Sequence, residues 1–586
     1  MVPTNLRVFL EVLRSEGQVA EISAPVDPNL ELAEIHRRVI EEQGPALLFT
    51  NVKGSSFPVV TNLFGTSRRV DLAFGPKPEQ FMRSAVNAMN TLLPPTPKGL
   101  WEERGLLLDL LKVGTRQVQP NQAPVLGALR REQPLAGLPV LTSWQEDGGP
   151  FVTLPLVYTE HPDGGHHNLG MYRMQVFDDR TTGMHWQIHK GGGFHYHEAE
   201  KRGQSLPVTV FLGGPPALIA SAIAPVPEHL PELMLTSLIL GRKLPVVANP
   251  QGGHRLVAEA EFAICGSVPP HLRRPEGPFG DHYGYYSLQH NFPEFQVNHV
   301  WHRKGAIYPA TIVGKPRQED YYLGEFLQRL LSPAFPMAMP GVKELWTYAE
   351  TGFHPLAAAV VRESYKREAI GSAFRILGEG QLTLTKFLIV TDQAVPLDNF
   401  PLLLETVLER FDPHRDLFIF NNTSHDTLDY TGHQLNHGSK ALMLGVGAPV
   451  RELPRVYDGG ELPEISGIAV YCGGCLVVSG ASYEAEPELA QRLLASSAER
   501  LAAWPLVVLV DDPAVAADQT AFLWTVFTRF NPAADMYAQS SLQRHHIRYE
   551  LPIVIDARMK PGYPDELFPR EDIVELVDRR WREYFA

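Results

Sequence analysis

Histidines, carboxylates, an asparagine and an arginine are concentrated in one stretch of the chain, NLGMYRMQVFDDRTTGMHWQIHKGGGFHYHEAE, residues 168–200. Side chains of these types bind metal ions, transfer protons and hold anionic groups. Within MHWQIH the polar residues His185, Gln187 and His189 alternate with apolar ones, so in a strand all three share one face. The stretch predicts a metal site, a catalytic surface or a solvated hairpin face, and the residues alone leave these alternatives open.

The segment MYRMQVF and the turn DDRTTG precede MHWQIH, and together they predict a β-hairpin. Arg173 and Gln175 occupy one face of its first strand. If odd positions pair with odd positions, Arg173 lies across from Gln187 or His189, whereas a slip of one residue separates them. The hairpin is expected to bring an arginine, glutamines and histidines to one surface.

A further histidine pair, His195 and His197, is followed by Glu200. These three residues resemble the start of a cupin-type iron or manganese site. The carboxylate comes too soon after the second histidine for that pattern, and no matching histidine follows downstream, so the sequence disfavours this alternative.

Two carboxylates, Glu276 and Asp281, lie in the aromatic-rich stretch EGPFGDHYGYY, residues 276–286. Burial beside aromatic rings raises the pKa of a carboxyl group toward values useful for proton transfer, and a cation such as Arg173 would oppose that shift. The stretch predicts a pair of acids beside an apolar cavity. The alternative is an aromatic turn with two solvated acids.

The remaining motifs carry less chemistry. Cys472 and Cys475 form a CxxC between two apolar runs, and no second pair of ligands exists for zinc, so a hairpin turn is favoured over a redox role. The chain has no GxGxxG, Walker A or GxSxG motif, which leaves dinucleotide, P-loop and serine-hydrolase functions without support.

Length and charge bound the class of protein. A chain of 586 residues predicts about three to four domains. The net charge of -14, without clustered Lys and Arg, argues against nucleic acid or an anionic membrane as the main partner. The start of the chain does not resemble a signal peptide, and no stretch approaches a transmembrane helix. With three cysteines, the sequence is typical of a soluble cytoplasmic protein.

The elements that must position these groups change in type along the chain. The first part mixes helical and strand patterns, and the middle has short strand-like runs separated by Gly, Pro and Asp, which predict a barrel or sandwich. Beyond about residue 325, strands and helices alternate, which favours an α/β layer. Residues 387–416 resemble residues 507–535 and share the pattern R-F-x-P-x-x-D, so we interpret them as a duplicated α/β unit for packing or for contact between protomers.

Taken in order, several segments resemble the UbiD family of decarboxylases, which use prenylated FMN. They extend over about residues 50–450. The matching segments are NLGMYRMQVFDDRTTGMHWQIHKGGG, LPVTVFLGGPPAL, APVPEHLPELMLTSLILG, EGPFGDHYGYY, HRKGAIYPATIVGKP, TKFLIVTD and HGSKALMLG.

The resemblance implies an α+β multidomain fold in four parts. These are an N-terminal α/β domain (1–118), a central split β-barrel of the flavin-reductase type that holds the cofactor (119–325), a C-terminal α/β oligomerisation domain (326–485) and an extension repeating the α/β unit (486–586). Such an extension resembles longer members associated with menaquinone-type quinone synthesis. A homo-oligomer, from dimer to hexamer, is expected.

The resemblance also implies a metal and a cofactor site. Asn168, His189 and Glu232 would hold a divalent ion, manganese or magnesium, that bridges to the cofactor phosphate, with a potassium ion nearby. A hard cation suits a phosphate on a protein of this negative charge. Lys386 and, more weakly, Lys190 would contact the phosphate. The full set implied to bind the cofactor is Asn168, Met171, Arg173, Gln187, His189, Lys190, Pro225, Glu232 and Lys386.

Catalysis is assigned by the resemblance to Arg173, Glu276 and Asp281. Loss of CO2 from an sp2 carbon requires an electron sink, which the cofactor supplies. Arg173 is expected to bind the substrate carboxylate, and Glu276 or Asp281 to protonate the carbon, with the two acids titrating as a unit. His282 follows Asp281, as in branches that act on hydroxylated aromatic acids.

The expected activity is prenylated-FMN-dependent, non-oxidative decarboxylation of an aromatic or α,β-unsaturated acid. The leading substrates are a polyprenyl hydroxybenzoate or a dihydroxynaphthoate in ubiquinone or menaquinone biosynthesis. A flavin prenyltransferase would supply the cofactor, and a prenylated substrate implies peripheral contact with a membrane. Two alternatives remain: a metal-dependent oxygenase using the histidine cluster, and a non-catalytic assembly protein.

Overall fold

The structure is a computed structural model that describes residues 2–92, 96–187, 190–225 and 231–585, without the side chains of residues 90, 91 and 107. The chain forms two compact units, one of Met1–Leu331 with Asp565–Ala586 and one of Ser332–Pro564. The mixed α/β, multidomain character expected from the sequence is confirmed. The four domain boundaries stay predictions.

Helices of the first unit carry apolar stripes that face its cores. In the first helix Leu6, Phe9 and Leu13 recur at helical spacing and are buried, and Asn5 caps the helix by accepting a hydrogen bond from Val8 N at 2.9 Å. The helices before residue 332 are α1 (Leu6–Ser15), α2 (Glu31–Glu41), α3 (Ser67–Phe74), α4 (Lys77–Leu92), α5 (Pro97–Glu102), α6 (Arg104–Leu110), α7 (Gly191–Lys201), α8 (Pro216–Ile223), α9 (Glu232–Leu240) and α10 (Glu319–Leu331).

Strands of the first unit are mostly short, as the frequent Gly, Pro and Asp residues between apolar runs predict. They are β1 (Val19–Ile22), β2 (Ala46–Phe49), β3 (Val59–Thr61), β4 (Thr115–Gln117), β5 (Ala128–Arg130), β6 (Phe151–Val152), β7 (Leu156–Glu160), β8 (His167–Met171), β9 (Met174–Gln175), β10 (Thr181–Gly183), β11 (Leu206–Leu212), β12 (Leu244–Val247), β13 (Leu256–Val257), β14 (Phe262–Val268), β15 (Arg273–Glu276), β16 (Phe279–Gly280), β17 (Tyr286–Ser287), β18 (His290–His302) and β19 (Tyr308–Pro309).

The largest sheet of this unit has eight strands and lies where the sequence predicts a split barrel. Its main path is β10-β18-β14-β11-β7-β8, and β5 and β15 also pair with the long strand β18. The pairs β11–β14, β14–β18 and β7–β8 are antiparallel, so successive residues face opposite sides of the sheet. Among the described strands no pairing closes this sheet, so the barrel itself is not confirmed.

The predicted hairpin of residues 171–189 forms only in part. β9 pairs with β6, and Val176, directly after β9, forms a single bridge with Thr182 of β10, which otherwise pairs with β18. The prediction of a strand over MHWQIH is wrong for residues 184–187, which follow β10 outside a strand, and residues 188 and 189 lie outside the described residues. Arg173 lies between β8 and β9 and contacts the EGPFGD loop instead of Gln187.

The second unit contains two five-stranded sheets with the same strand order and directions. In each sheet the two central pairings are parallel and the two outer pairings antiparallel. The elements are α11 (Phe335–Ala338), β20 (Val342–Thr347), β21 (Leu356–Val361), α12 (Glu368–Leu377), β22 (Phe387–Thr391), α13 (Phe400–Leu408), β23 (Leu417–Ser424), β24 (His437–Gly445), β25 (Ile465–Cys472), β26 (Cys475–Gly480), α14 (Leu489–Leu501), β27 (Leu506–Val510), α15 (Gln519–Arg529), α16 (Pro532–Asp535), β28 (Met536–Tyr537), β29 (Ser540–Gln543), β30 (His546–Tyr549) and β31 (Ile553–Asp556). The sheet orders are β20-β21-β22-β24-β23 and β25-β26-β27-β31-β28.

Equivalent hydrogen bonds accompany this repeated topology. In the shared pattern R-F-x-P-x-x-D, the carboxylate of Asp416 accepts from Asp412 N at 3.1 Å, and that of Asp535 accepts from Asn531 N at 2.7 Å. One apolar core contains residues of both sheets, so the two copies pack on each other. We call them the first copy (342–445) and the second copy (465–556). The sequence similarity of residues 387–416 and 507–535 therefore corresponds to two copies of one α/β unit.

The CxxC pair forms the turn between β25 and β26. Cys472 and Cys475 are cross-strand neighbours, both buried and both free thiols. Burial raises the pKa of the Cys475 thiol well above its ordinary value, so this thiol is protonated at neutral pH. The hairpin turn expected for CGGC is confirmed.

The last helix, α17 (Glu571–Tyr584), belongs to the first unit and packs on α2. Its Tyr584 hydroxyl donates to Glu31 Oε1 at 2.6 Å, and Val577 is completely buried. No helix in the described part of the chain is both long and apolar enough to cross a membrane.

Candidate active site

A buried arginine, Arg173, is the centre of an ion cluster in the first unit. Its Nη2 donates to Ser287 Oγ at 2.7 Å, its Nε donates to Glu276 Oε1 at 3.4 Å, and its Nη1 pairs with Asp281. The guanidinium carbon lies 4.5 Å from the centre of the Phe279 ring, which covers one face of the cation. The structure thus brings the three residues assigned to catalysis together.

Glu276, at the end of β15, is almost completely buried, with 1% of its surface exposed. Its Oε1 faces Arg173 and lies 2.8 Å from His185 Nδ1. Among the described residues its Oε2 has no hydrogen-bond partner. Gly183 makes room for this oxygen, because a Cβ atom at that position would lie 2.2 Å from Oε2. One carboxylate oxygen is held by Arg173 and His185, and the other is buried against Gly183.

Asp281, just after β16, is held from two sides. One oxygen pairs with Arg173, and Oδ1 accepts from His282 N at 2.8 Å and lies 2.7 Å from His282 Nδ1. Burial acts to raise the pKa of Asp281, but the charge of Arg173 and the hydrogen bond from His282 lower it below its ordinary value. The expectation that burial raises the pKa is wrong for this acid, because the cation outweighs desolvation. Asp281 is ionised at neutral pH.

Two polar side chains hold the backbone of the loop that carries both acids. Asp147 Oδ1 accepts from Gly280 N at 2.8 Å, and Gln175 Oε1 accepts from Gly277 N at 2.8 Å. Burial raises the pKa of Asp147 to about 6, although its backbone hydrogen bonds act in the opposite direction. These contacts fix the separation of the two acids, which a proton-transfer site requires.

Two of the three predicted metal ligands, Asn168 and Glu232, meet where β8 approaches the N-terminus of α9. Glu232 Oε2 accepts from Leu169 N at 3.1 Å, and Asn168 Nδ2 donates to the Tyr172 hydroxyl at 3.2 Å. Asn168 Oδ1 lies against Gly191, where a Cβ atom would approach it to 2.2 Å. Burial raises the pKa of Glu232 to about 7, against two backbone hydrogen bonds that lower it. An amide oxygen and a buried carboxylate fit a hard divalent cation.

His189, the third predicted ligand, lies outside the described residues. Within the described ranges no group of three or more His, Cys, Asp and Glu side chains could hold a metal ion. The predicted ligands are an asparagine, a glutamate and a histidine outside the described residues. The absence of a three-residue group therefore neither supports nor contradicts them. The metal site stays a prediction.

The other first-unit residues expected to contact the cofactor lie at or near the ends of strands and helices. Met171 ends β8, Gln187 follows β10, Lys190 is the residue before α7, and Pro225 follows α8 and is exposed. Gln187 and Pro225 each border a range that the structure does not describe. Their contacts with a cofactor stay predictions.

Lys386 lies in the second unit, directly before β22. Its exposed fraction is 1%, and its Nζ lies 2.7 Å from Asp429 Oδ2 and 5.5 Å from the centre of the Phe530 ring. Burial lowers the pKa of Lys386, although Asp429 acts to raise it. Its predicted contact with a phosphate stays a prediction.

The residues of the disfavoured cupin-type alternative, His195, His197 and Glu200, lie on helix α7 and not on a strand. His195 Nδ1 is hydrogen-bonded to Thr159 Oγ1 at 2.9 Å, His197 is exposed, and the Glu200 carboxylate accepts from Arg273 at 2.7 and 3.0 Å. Their different partners agree with the sequence argument against a cupin-type site.

Sequence reasoning gave no role to three residues that complete the cluster, namely His185, Ser287 and Asp147. His185 is visible in the sequence only as one polar position among several in MHWQIH. Ser287 lies in β17 and Asp147 in a loop before β6, both distant from Arg173 in the sequence, and no spacing pattern connects them to it. Their contacts arise from the tertiary fold.

Three family models match the chain in order. They describe the 3-octaprenyl-4-hydroxybenzoate carboxy-lyase N-terminal domain at residues 10–89, its Rift-related domain at residues 116–316 and its C-terminal domain at residues 321–445. The matches end before the second copy of the α/β unit.

Solved structures show the same fold. The vanillic acid decarboxylase of Sedimentibacter hydroxybenzoicus in closed form is 24% identical, with a TM-score of 0.67 over 79% of this chain and 97% of that chain. An evolved dimeric form of the UbiD-class enzyme HmfF from Pelotomaculum thermopropionicum, in complex with prFMN, is 24% identical, with a TM-score of 0.63 over 77% and 97%.

A relative of full length is more similar in sequence. A Chlamydia pneumoniae protein, named as a subunit of 4-hydroxybenzoate decarboxylase, is 51% identical over 586 residues, which cover 99% of this chain and 98% of that protein. Since this similarity extends from end to end and the three family models follow one another through most of the chain, the chain belongs to the UbiD family of carboxy-lyases.

Proposed function

We propose that the protein is a prenylated-FMN-dependent decarboxylase of a hydroxylated aromatic acid. The observation that carries the proposal is the buried cluster of Arg173, Glu276 and Asp281, in which Glu276 keeps one oxygen without a partner among the described residues. The name of the 51% identical relative supports a hydroxybenzoate as substrate. A polyprenyl hydroxybenzoate of ubiquinone biosynthesis is the preferred substrate, supported by the name of the matching family domains, and a dihydroxynaphthoate of menaquinone biosynthesis is the alternative.

Decarboxylation leaves an electron pair on carbon, which must be stabilised and then protonated. Prenylated FMN, when bound, supplies the electron sink. The Arg173 guanidinium is fixed by Asp281 and Ser287, so it is oriented to bind a carboxylate. Asp281, ionised at neutral pH, balances the charge of Arg173.

Glu276 is the better candidate for the proton donor. Its Oε1 is held by Arg173 and His185, and its Oε2 lacks a partner among the described residues, so a proton on Oε2 can reach a substrate carbon. Asp281 has both oxygens engaged and a lowered pKa, which disfavour it as an acid.

The cofactor site would be built around Asn168 and Glu232, with His189 as the third ligand of manganese or magnesium and potassium nearby. Hard oxygen ligands and one imidazole suit a divalent ion that binds phosphate. The remaining cofactor contacts of the first unit would come from Met171, Gln187, Lys190 and Pro225. HmfF in complex with prFMN supports the choice of cofactor.

The central sheet would close as a split barrel of the flavin-reductase type. The chain passes from the edge strand β8 through β9 to the other edge strand β10, and Val176, directly after β9, bridges to Thr182 of β10. A flavin prenyltransferase would supply the cofactor, and the dimeric form of HmfF supports a homo-oligomer. We further propose a cytoplasmic location, in keeping with three free thiols, and peripheral contact with a membrane if the substrate is prenylated.

The test is co-expression with a flavin prenyltransferase, followed by the absorption spectrum and mass of the copurified small molecule and by metal analysis. We expect prenylated FMN and manganese. Glu232→Ala and His189→Ala should lose both, whereas Glu198→Ala, whose carboxylate pairs with Lys201 at the surface, should keep both.

Other outcomes would contradict the proposed metal site or support a different function. Cofactor retained in Glu232→Ala would contradict the bridging metal. Bound iron with oxygen consumption and no flavin would support an oxygenase. No flavin, together with no effect of Glu276→Gln on any activity, would support an assembly protein.

A further inference from the structure

The hairpin that carries Asp281 is very short. Its strands β16 and β17 pair at two positions, Phe279 with Ser287 and Gly280 with Tyr286. A two-stranded hairpin of this length is marginally stable in water and needs a further strand or a packed face to stay folded. The position of Asp281 therefore depends on what holds the hairpin from outside.

Residues 565–567, which we call the C-terminal strap, supply a third strand to this hairpin. Tyr286 N donates to the Asp565 carbonyl at 3.1 Å, and Leu567 N donates to the Gly284 carbonyl at 3.0 Å, in an antiparallel pairing. The strap follows the second copy in the sequence but belongs to the first unit. The matched family domains end before it, so the strap is an addition to them.

The side chain of Leu567 packs the strap against the hairpin. It is 2% exposed and forms a small apolar cluster with Trp144 and Tyr286. The Trp144 ring lies against Gly280, where a Cβ atom would approach a ring atom to 2.1 Å, and its Nε1 donates to the Val313 carbonyl at 2.9 Å. Leu567 thus supports the ring that covers the backbone directly before the aspartate of the cluster.

The hairpin carries two of the groups that orient Arg173. Asp281 pairs with Nη1 of Arg173, and Ser287 accepts from Nη2 at 2.7 Å. Asp281 N also donates to the Tyr285 carbonyl at 3.1 Å, and Tyr285 is bridged to Glu566 of the strap. A displacement of the hairpin would therefore move two partners of the guanidinium at once.

We propose that the C-terminal strap is a positioning element of the candidate active site, with Leu567 as its main positioning residue. The strap holds the β16–β17 hairpin so that Asp281 and Ser287 keep the Arg173 guanidinium fixed for binding a carboxylate. The inference rests on the proposed function and deepens it, because it adds to that site a segment from beyond the matched domains.

An ion pair also links the strap to the rest of the first unit, but it contributes less. Glu566 Oε2 accepts from Lys315 Nζ at 2.7 Å, and both side chains are partly exposed. Water screens such a pair, so its net contribution is small. The hold of the strap depends mainly on the backbone and the buried side chain of Leu567. Glu566→Gln should therefore lower kcat by less than about twofold.

The first test reads the hold on the hairpin without turnover. Leu567→Ala removes most of the side chain that contacts Trp144 and Tyr286, so the amides of residues 279–287 should exchange with deuterium about tenfold faster than in the wild type. Leu13→Ala, at a completely buried leucine of α1, is the matched control and should leave this exchange unchanged. Mass spectrometry of proteolytic fragments measures it. Equal exchange in wild type and Leu567→Ala, or an equal increase in both variants, would overturn the proposal.

The second test separates positioning from stability in the cofactor-loaded enzyme. Leu567→Ala should lower kcat for 4-hydroxybenzoate by about tenfold or more, since displacing a catalytic group by about 1 Å can cost about 100-fold. Leu13→Ala loses a buried side chain of the same size, yet should keep the wild-type kcat at a temperature where both variants are folded. Leu567→Met, which conserves volume, should stay within about twofold of the wild type. Leu567→Val serves if Leu567→Ala does not fold, and should lower kcat by about threefold.

The strap and the proposed function fail in different ways. Wild-type kcat in Leu567→Ala, or an equal loss of kcat in Leu13→Ala, would overturn the positioning role and leave the proposed function standing. Faster exchange of residues 279–287 in Leu567→Ala alone, in a loaded protein that decarboxylates no benzoate, would support the hold of the strap on the hairpin and contradict the proposed function.

Discussion

Two buried arginines, Arg558 in the second unit and Arg173 in the first, are bound by carboxylates in different ways. Arg558 and Asp556 are both completely buried, and the guanidinium donates twice to the carboxylate, at 3.0 and 2.6 Å. Its Nη1 donates to the carbonyls of Ala481 and Glu486 at 2.8 and 3.0 Å. This guanidinium makes four hydrogen bonds to protein acceptors, and both members of the pair are completely buried, so the pair is closed to a ligand.

The Arg173 cluster is also buried, but it is incomplete. Its acid Glu276 has Oε2 without a partner, and His185 has Nε2 without a partner, both among the described residues. Protein interiors satisfy nearly all of their polar groups, because each unsatisfied one costs about 1–3 kcal/mol. The Arg558 pair is therefore complete within the folded chain, whereas the cluster proposed to be catalytic leaves two buried atoms without partners among the described residues.

The largest expected effect separates the two clusters by activity. Glu276→Gln should lower kcat/KM of the cofactor-loaded enzyme by about 10²–10⁴-fold, because an amide cannot donate an acidic proton. The free energy of unfolding should hardly change, since the amide oxygen can still face Arg173. Decarboxylation assays and chemical denaturation measure the two quantities. Wild-type turnover in this variant would remove Glu276 from the mechanism.

The second effect separates them by stability. Arg558→Ala should destabilise the second unit by about 3–5 kcal/mol, because Asp556 is left as a buried, unpaired charge. Arg558→Leu combined with Asp556→Leu should recover most of this loss, as apolar replacement of both partners removes the unpaired charge. Urea denaturation measures both variants. If the single substitution costs less than about 1 kcal/mol, the pair is not structural.

A third buried group tests whether unpartnered atoms alone mark a site. His36 in α2 is completely buried, and both ring nitrogens lack partners in the described chain. Burial and then Arg69 lower its pKa to about 3. Since the unfolded value is about 6.5, the unfolded chain binds the proton first, and stability present above that pH is lost as the pH falls toward 3.

The corresponding variant is His36→Leu. Between about pH 6.5 and pH 3, the free energy of unfolding of this variant should fall by a few kcal/mol less than that of the wild type. Its decarboxylation activity should be unchanged. His545→Leu, at an exposed histidine, is the matched control and should keep the acid sensitivity. Loss of turnover in His36→Leu would mean that an unpartnered atom matters even outside the Arg173 cluster.

The smallest expected effect probes the free oxygen of Glu276. Gly183→Ala should displace the carboxylate, since the added Cβ would lie 2.2 Å from Oε2, and should lower kcat by about tenfold with little loss of stability. Gly371→Ala, in α12 with no atom within 4 Å of the added Cβ, should leave kcat unchanged and stabilise by about 0.5–1 kcal/mol. Equal kcat in both variants would show that the position of Oε2 is not critical.

Much of the fold follows from local patterns in the sequence. The helical patterns in the first part of the chain correspond to helices such as α1, and the repeated R-F-x-P-x-x-D predicts the two matching α/β sheets. The prediction of a strand over MHWQIH was wrong for residues 184–187, because alternation of polar and apolar residues does not identify a pairing partner. β18 pairs with β10, and residues 184–187 follow beyond its end.

The candidate site could be predicted only in outline. Arg173, Glu276 and Asp281 were named through resemblance to a family, and the structure brings them together. The direction in which the pKa of Asp281 is shifted could not be predicted, because it depends on the distances to Arg173 and His282. The contacts of His185 and Asp147 could not be predicted for the same reason, because contacts between distant segments leave no local pattern in the sequence.

The duplicated unit has a consequence for how its inner interface forms. Residues 446–464 join the first copy to the second, and the two share one apolar core. A tethered partner is present at an effective concentration of about millimolar for a short flexible connection, however dilute the protein is. Two separate chains with this interface would part on dilution. The second copy is therefore a permanent partner encoded in the same polypeptide, and its stoichiometry of one to one is fixed at translation.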